Sequence, residues 1–182
     1  MIDMDGVCAN FLAGYNDIQR ELGKITTPWE APWDAFWDND VWAIIKKSPT
    51  YWARLPNLLS EVELAGLRGL EMRHDLYFVT ARMGIRPKQQ TEEWLYARAF
   101  LNPTVIICAD GSGGADKKLY LSYGIGADFS IDDRLLNVER IAKNENLVSY
   151  LKETPQNTND VWSPRVKTFL EFLEMIEVEE DK

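Results

Sequence analysis

Histidine is almost missing from this chain. One residue of 182, His74, carries an imidazole, so acid–base chemistry near neutral pH cannot be shared among several histidines. It stands between Arg73 and Asp75, just before an apolar run, and reads as a surface or loop position. Cysteine is nearly as scarce. Cys8 and Cys108 are far apart and in no metal-binding spacing, which points to two reduced thiols and argues against a cysteine-held metal. Positive charge is also short, with 20 Lys and Arg against 29 Asp and Glu and a formal net charge of −9. A general nucleic-acid binder needs a basic face to displace counterions, so no nucleic-acid partner is expected. No apolar run approaches the roughly 18 residues of a membrane span. The opening residues lack the basic stretch and apolar centre of a secretory signal. A cytoplasmic protein with no membrane partner is the expectation, its chemistry resting on carboxylates, lysine and metal.

What the chain does have is a strand and helix alternation. Leu76–Val79, Val105–Cys108 and Phe129–Ile131 are short, apolar and β-rich, as buried parallel strands are, and Met1–Ile2 before Asp3 is a very short fourth. Residues 61–72 carry Val62, Leu64, Ala65, Leu67 and Leu70 at helical spacing, and residues 87–101 open on Pro87 and carry Trp94, Leu95 and Phe100. A third helix is predicted over 116–123, stopped at Gly124. A last one is predicted over 164–177, with Val166, Phe169, Leu170, Leu173 and Ile176 on one face. Residues 153–163 read as a polar loop, and the acidic run Glu177, Glu179, Glu180, Asp181 as a solvated, frayed tail. This order implies an α/β fold, a Rossmann-like three-layer α/β/α core with a parallel sheet.

Residues 13–55 break the pattern. They hold five of the seven tryptophans (Trp29, Trp33, Trp37, Trp42, Trp52) and are punctuated by Pro28, Pro32 and Pro49. Strand periodicity is absent there, so the segment reads as a small, mostly helical cap inserted after the first strand. The core is then 1–12 and 56–182. Trp29, Trp33, Trp37 and Trp42 are expected to form the inside of that cap.

Functional groups of an open α/β sheet gather at the carboxyl ends of its strands. After the first strand stand Asp3, Asp5 and Gly6, and after the second Thr80, Ala81 and Arg82. The third leads through the glycine-rich stretch 110–116, which lacks P-loop spacing, to Lys117. The fourth ends in Asp132, Asp133 and Arg134. Clustered carboxylates repel and call for a hard cation such as Mg²⁺. A carboxylate in such a cluster can attack phosphorus, a lysine can offset the transferring charge, and a second carboxylic acid can serve the leaving oxygen. Arg82 and Arg134 flank these residues and are open to either phosphate contact or surface ion pairing.

The runs Ile2-Asp-Met-Asp-Gly-Val7, Phe78-Val-Thr80, Lys117 and Ser130-Ile-Asp-Asp133 resemble, in order, the four motifs of the haloacid dehalogenase superfamily. The likeness implies Asp3 as nucleophile and metal ligand, and Asp5 as general acid/base that gives its carbonyl to the metal. It also implies Thr80 and Lys117 on the phosphoryl oxygens, with Asp132 or Asp133 completing the metal shell. Lys118 is the alternative to Lys117, which is preferred for its distance from Gly124. Asp-Met-Asp-Gly-Val and Ser48-Pro-Thr-Tyr-Trp-Ala-Arg-Leu-Pro56 are similar to the 5′(3′)-deoxyribonucleotidases within that superfamily. By that resemblance Tyr51 and Trp52 would wall a nucleobase, with Ala81 and Arg82 also on the substrate. The implied partner is a small phosphate ester, a nucleoside monophosphate above all, with Mg²⁺ as cofactor. Another phosphomonoester, a non-catalytic binding protein of the same fold, and a homodimer remain open.

Overall fold

The β-sheet is closed at its centre by one residue. Ile2 bridges in parallel to Phe78 on one side and Ile131 on the other, in a computed structural model that describes residues 1–108 and 114–180. On one side lie β1 (Tyr77–Thr80) and β2 (Thr104–Ile107); on the other lie β3 (Phe129–Asp132), β4 (Val148–Lys152) and β5 (Arg165–Val166). Every pairing is parallel, so the order across the sheet is β2, β1, Ile2, β3, β4, β5. The Ile2 N–H donates to the Tyr77 carbonyl at 2.8 Å and its carbonyl accepts from Val79 at 2.8 Å, while the Asp3 N–H donates to Ile131 at 3.0 Å. Asp3 is therefore fixed by the sheet on which it ends.

Parallel strands need crossovers, and helices supply them. These are α1 (Phe11–Glu21), α2 (Asn39–Lys47), α3 (Glu61–Glu71), α4 (Pro87–Tyr96), α5 (Gly114–Gly124), α6 (Leu135–Ile141) and α7 (Phe169–Glu180). Local sequence sets several of their ends. Ser60 and Glu63 form a capping box on α3, Pro87 opens α4, and Asp38 caps α2 while Lys46 and Lys47 sit in its last turn. Helix α3 packs on α7, and α5 on α6. Phe78, Val105, Ile131, Tyr150 and Leu151 are buried between the helices, as both faces of a covered parallel sheet must be. The fold is the expected α/β class.

Several boundaries differ from the sequence reading. β4 was not expected, because Val148-Ser-Tyr-Leu-Lys alternates polar and apolar residues and offers no continuous run. The predicted helix from 164 begins only at Phe169. Val166 instead extends the sheet as β5, with Leu151 donating to the Pro164 carbonyl at 3.1 Å. Helix α4 stops at Tyr96, short of 101, ahead of Ala99 at φ 63°. Val62 and Leu170 are exposed, and α6 had no sequence signal strong enough to mark it. The acidic end is helical through Glu180, and Asp181 lies outside the described residues.

Residues 13–55 hold no strand. They contain most of α1, a 3₁₀ turn at Trp33–Phe36, α2 and a second 3₁₀ turn at Trp52–Arg54. Tyr15, Ile18, Phe36, Val41 and Ile45 are buried there, in one hydrophobic cluster that continues to Ile2 and Phe78. Both cysteines are buried and free. Among the described residues no helix is long and apolar enough to cross a membrane.

Ile2 fills the middle of the sheet at 2% exposure. Ile2→Ala is expected to lower the unfolding free energy by about 2–5 kcal/mol, and Ile2→Val by about 0.5–1.5 kcal/mol. Urea denaturation measures both; equal midpoints for parent and Ile2→Ala would contradict the central role given to this side chain.

Candidate active site

Two strand ends converge on one ammonium group. The Nζ of Lys118 donates to Asp3 Oδ1 at 2.7 Å and to Asp132 Oδ2 at 2.6 Å, with all three residues buried. Lys118 lies on α5, where it and Ser122 form the inward stripe at i, i+4. Lys117, preferred from the sequence, is one position round the helix and exposed. That preference is corrected: a step of one residue turns a side chain by about 100° on an α-helix, and distance from Gly124 carries no information about face. Asp110 and the glycines up to 113 lie outside the described residues, while Gly114–Asp116 already belong to α5.

The two aspartates after β3 are not equivalent. Asp132 is saturated: it also accepts from the Arg134 N–H at 3.0 Å and from Asn137 Nδ2 at 2.9 and 3.0 Å. Asp133 is the opposite case. Both its oxygens are buried, and among the described residues neither has a hydrogen-bond partner. Its backbone is held instead, with Asn157 Nδ2 donating to the Asp133 carbonyl at 2.7 Å. Gly6 makes room for the carboxylate: at φ 89°, a Cβ there would stand 2.0 Å from Asp133 Oδ2.

Ligand oxygens of Asp3, Asp132 and Asp133 lie within 4.8 Å of one another. Burial drives the Asp3 carboxyl up from its ordinary range against the pull of Lys118, and Asp132 and Asp5 add to the rise. Burial likewise pushes Asp133 well up, with Asp132 and Asp3 as further causes. Burial opposes the charge on Lys118, but Asp132 and Asp3 outweigh it and hold the ammonium above the usual lysine range. Three carboxylates and one ammonium leave a formal charge of −2, which a divalent cation would cancel. Asp133 is the group with free lone pairs to bind one, Asp3 its neighbour, and Asp132 the anchor of Lys118.

Asp5 sits beside this cluster. Thr80 Oγ1 donates to its Oδ2 at 3.3 Å, and Arg82 grips it through Nη2 at 2.7 Å. Arg82 was expected on the substrate; its side chain is 0% exposed and committed to Asp5. Asp3, Asp5, Thr80, Ala81 and Lys118 form one end of a cavity of about 530 Å³.

The rest of that cavity is aromatic. Trp33, Trp37, Trp42 and Trp52 line it together with Phe11. Phe11 stacks on Trp42 at 5.9 Å and on Trp52 at 6.0 Å between ring centres, and Trp37 stacks on Trp42 at 5.3 Å. Arg134 also lines the cavity, its guanidinium 5.4 Å from the Trp33 ring centre. The sequence placed Tyr51 on this wall, which is corrected; of the tryptophans placed in the cap interior, Trp29, Trp33 and Trp42 do pack against the hydrophobic core, Trp33 and Trp42 also line the cavity, and Trp37 is exposed on its wall. Tyr51 is packed edge-on behind Trp52 at 4.8 Å and does not reach the cavity lining. Asn137 and Phe11 carried no sequence signal, except that Asn137 stands one helical turn past Asp133. His74 lies on the approach to β1, at the end of the sheet away from these groups.

No protein-family model matches the chain, and a search of curated proteins finds no match either.

Replacing Lys118 leaves Asp3 and Asp132 buried without their shared cation. Lys118→Met is expected to cost about 3–5 kcal/mol, and Lys117→Met, at an exposed position, within about 0.5 kcal/mol. Chemical denaturation of both variants checks the assignment, and the reverse order would return the role to Lys117.

Proposed function

We propose that the chain is a Mg²⁺-dependent phosphomonoesterase acting on nucleoside monophosphates, with Asp3 as nucleophile. The observation that carries this reading is the buried Asp3, Asp132, Asp133 and Lys118 cluster, which is two positive charges short of neutral and whose Asp3 and Lys118 open into an aromatic-walled cavity. The likeness of the four strand-end motifs to the haloacid dehalogenase superfamily supports it independently, with Lys118 in the lysine's place.

On this reading Asp3 attacks the phosphorus of the bound ester and becomes an aspartyl phosphate. Lys118, held by Asp132, which Asn137 steadies in turn, keeps Asp3 oriented and offsets charge on the phosphoryl oxygens. Thr80 adds a hydroxyl donor at the same end of the cavity. Magnesium held by Asp3 and Asp133, with the Asp5 carbonyl by the family likeness, would supply further neutralisation of the phosphoryl charge. The leaving alcohol points away from Asp3, toward the indoles. A flat base stacked on one indole contributes about 1–3 kcal/mol, which favours nucleotides over sugar phosphates.

Two measurements check this. In the first, phosphate release is followed from nucleoside and deoxynucleoside monophosphates and from sugar phosphates, with Mg²⁺, for the parent, Asp3→Asn and Trp42→Ala. Turnover preferring nucleotides, abolished in Asp3→Asn and with KM raised about tenfold in Trp42→Ala, is the expected result. Turnover of sugar phosphates alone would remove the nucleobase reading, and a folded parent that releases no phosphate from any ester would remove the enzyme. In the second, Mg²⁺ at 100 times its Kd is expected to stabilise the parent by about 2.7 kcal/mol and to leave Asp133→Asn unmoved. Without Mg²⁺, Asp133→Asn is expected to melt no lower than the parent, since a buried carboxylate facing two others has been neutralised.

A further inference from the structure

We infer that Arg82 is the positioning residue for Asp5 as acid–base group, an inference that rests on the phosphatase reading above. A fully buried guanidinium must be fixed by partners, and Arg82 has three kinds. Its Nε donates to both Asp5 oxygens at 3.2 and 3.1 Å, and its Nη2 donates to Oδ1 at 2.7 Å. Its Nη1 donates to Thr91 Oγ1 at 3.0 Å, a hydroxyl that itself donates to the Pro87 carbonyl at 2.7 Å. Its charged centre lies 5.0 Å from the Trp52 ring centre. Trp52 is in turn tied down: its indole N–H donates to Met83 and its backbone N–H to Gln90, both at 2.9 Å.

The guanidinium is thus set in a frame made by the first turns of α4, the loop before it and the 3₁₀ turn at Trp52. Asp5, Trp52 and Met83 connect that frame to the cavity, where they form part of the wall. The planar fork fixes the plane of the Asp5 carboxyl, which a point charge such as lysine does less well. In the first half-reaction the bond from Asp3 to phosphorus forms, the bond from phosphorus to the leaving oxygen breaks, and the Asp5 carboxylic acid gives that oxygen its proton. In the second, the Asp5 carboxylate takes a proton from water as the water oxygen bonds to phosphorus. The bond from Asp3 to phosphorus then breaks, releasing hydrogen phosphate and restoring both carboxyls. A misaimed Asp5 harms the first half-reaction only where the leaving oxygen needs the proton.

The test uses an alkyl ester, a deoxynucleoside 5′-monophosphate, and an aryl ester with an acidic leaving group, p-nitrophenyl phosphate. Arg82→Met is expected to lower kcat/KM, which reports the first half-reaction alone, by about 100-fold or more on the alkyl ester and by less than about tenfold on the aryl ester. Arg82→Lys is expected to recover part of the alkyl-ester rate. In an Asp5→Asn background Arg82→Met is expected to add no further loss, since the effect passes through Asp5. If Arg82→Met does not fold, Thr91→Val removes one anchor of the guanidinium and is expected to give the same selectivity in smaller measure. Equal losses in kcat/KM on the two esters, or additive losses in the double variant, would overturn the inference while leaving the phosphatase reading intact. A folded parent that turns over neither ester overturns both.

Discussion

Nζ of Lys118 is shared between Asp3 and Asp132 at 2.7 and 2.6 Å, and the other parts of the site follow from that arrangement. An ammonium buried this deeply needs carboxylates, and buried carboxylates need a cation. One lysine cannot satisfy three of them. Asn137 and the Arg134 N–H complete the shell of Asp132, which leaves the surplus negative charge on Asp3 and Asp133. The formal charges of the cluster do not balance on their own, which is the ground for proposing a divalent cation there.

Backbone geometry makes that crowding feasible. Asp3 is held by the hydrogen bonds of Ile2 and of its own N–H to the strands on either side, so the sheet fixes its position and no flexible loop does. Gly6 turns away at φ 89° and lets Asp133 approach within what would be a clash for any side chain. The second charge pair, Asp5 with Arg82, is set at right chemical contrast to the first. It is closed on itself by a fork and an indole, while the lysine cluster is left open to a ligand. Asp3, Lys118 and Asp5 all line the aromatic cavity.

The sequence carried the layered α/β architecture and the strand-end positions of Asp3, Asp5, Thr80, Asp132 and Asp133, because apolar runs followed by polar residues mark strand ends in any parallel sheet. It did not carry side-chain facing on a short helix. Lys117 and Lys118 are adjacent and chemically identical, and only the inward stripe with Ser122 separates them. Arg82 followed a motif residue and read as a phosphate contact, yet its partner is 77 positions away in the chain. The aromatic wall was misassigned for a related reason. Apolar residues such as Ile18, Val41 and Ile45 are interspersed with the indoles of the cap, so composition does not separate interior from cavity positions. Tyr51 and Trp52 are neighbours, but one ring shields the other.

The account turns on Asp3 becoming phosphorylated, and borohydride trapping during turnover reads that directly. Reduction of an aspartyl phosphate yields homoserine, which mass spectrometry locates by position. The account predicts homoserine at residue 3 only when ester and Mg²⁺ are both present. Phosphate release without homoserine at residue 3, or with it at another aspartate, would contradict it.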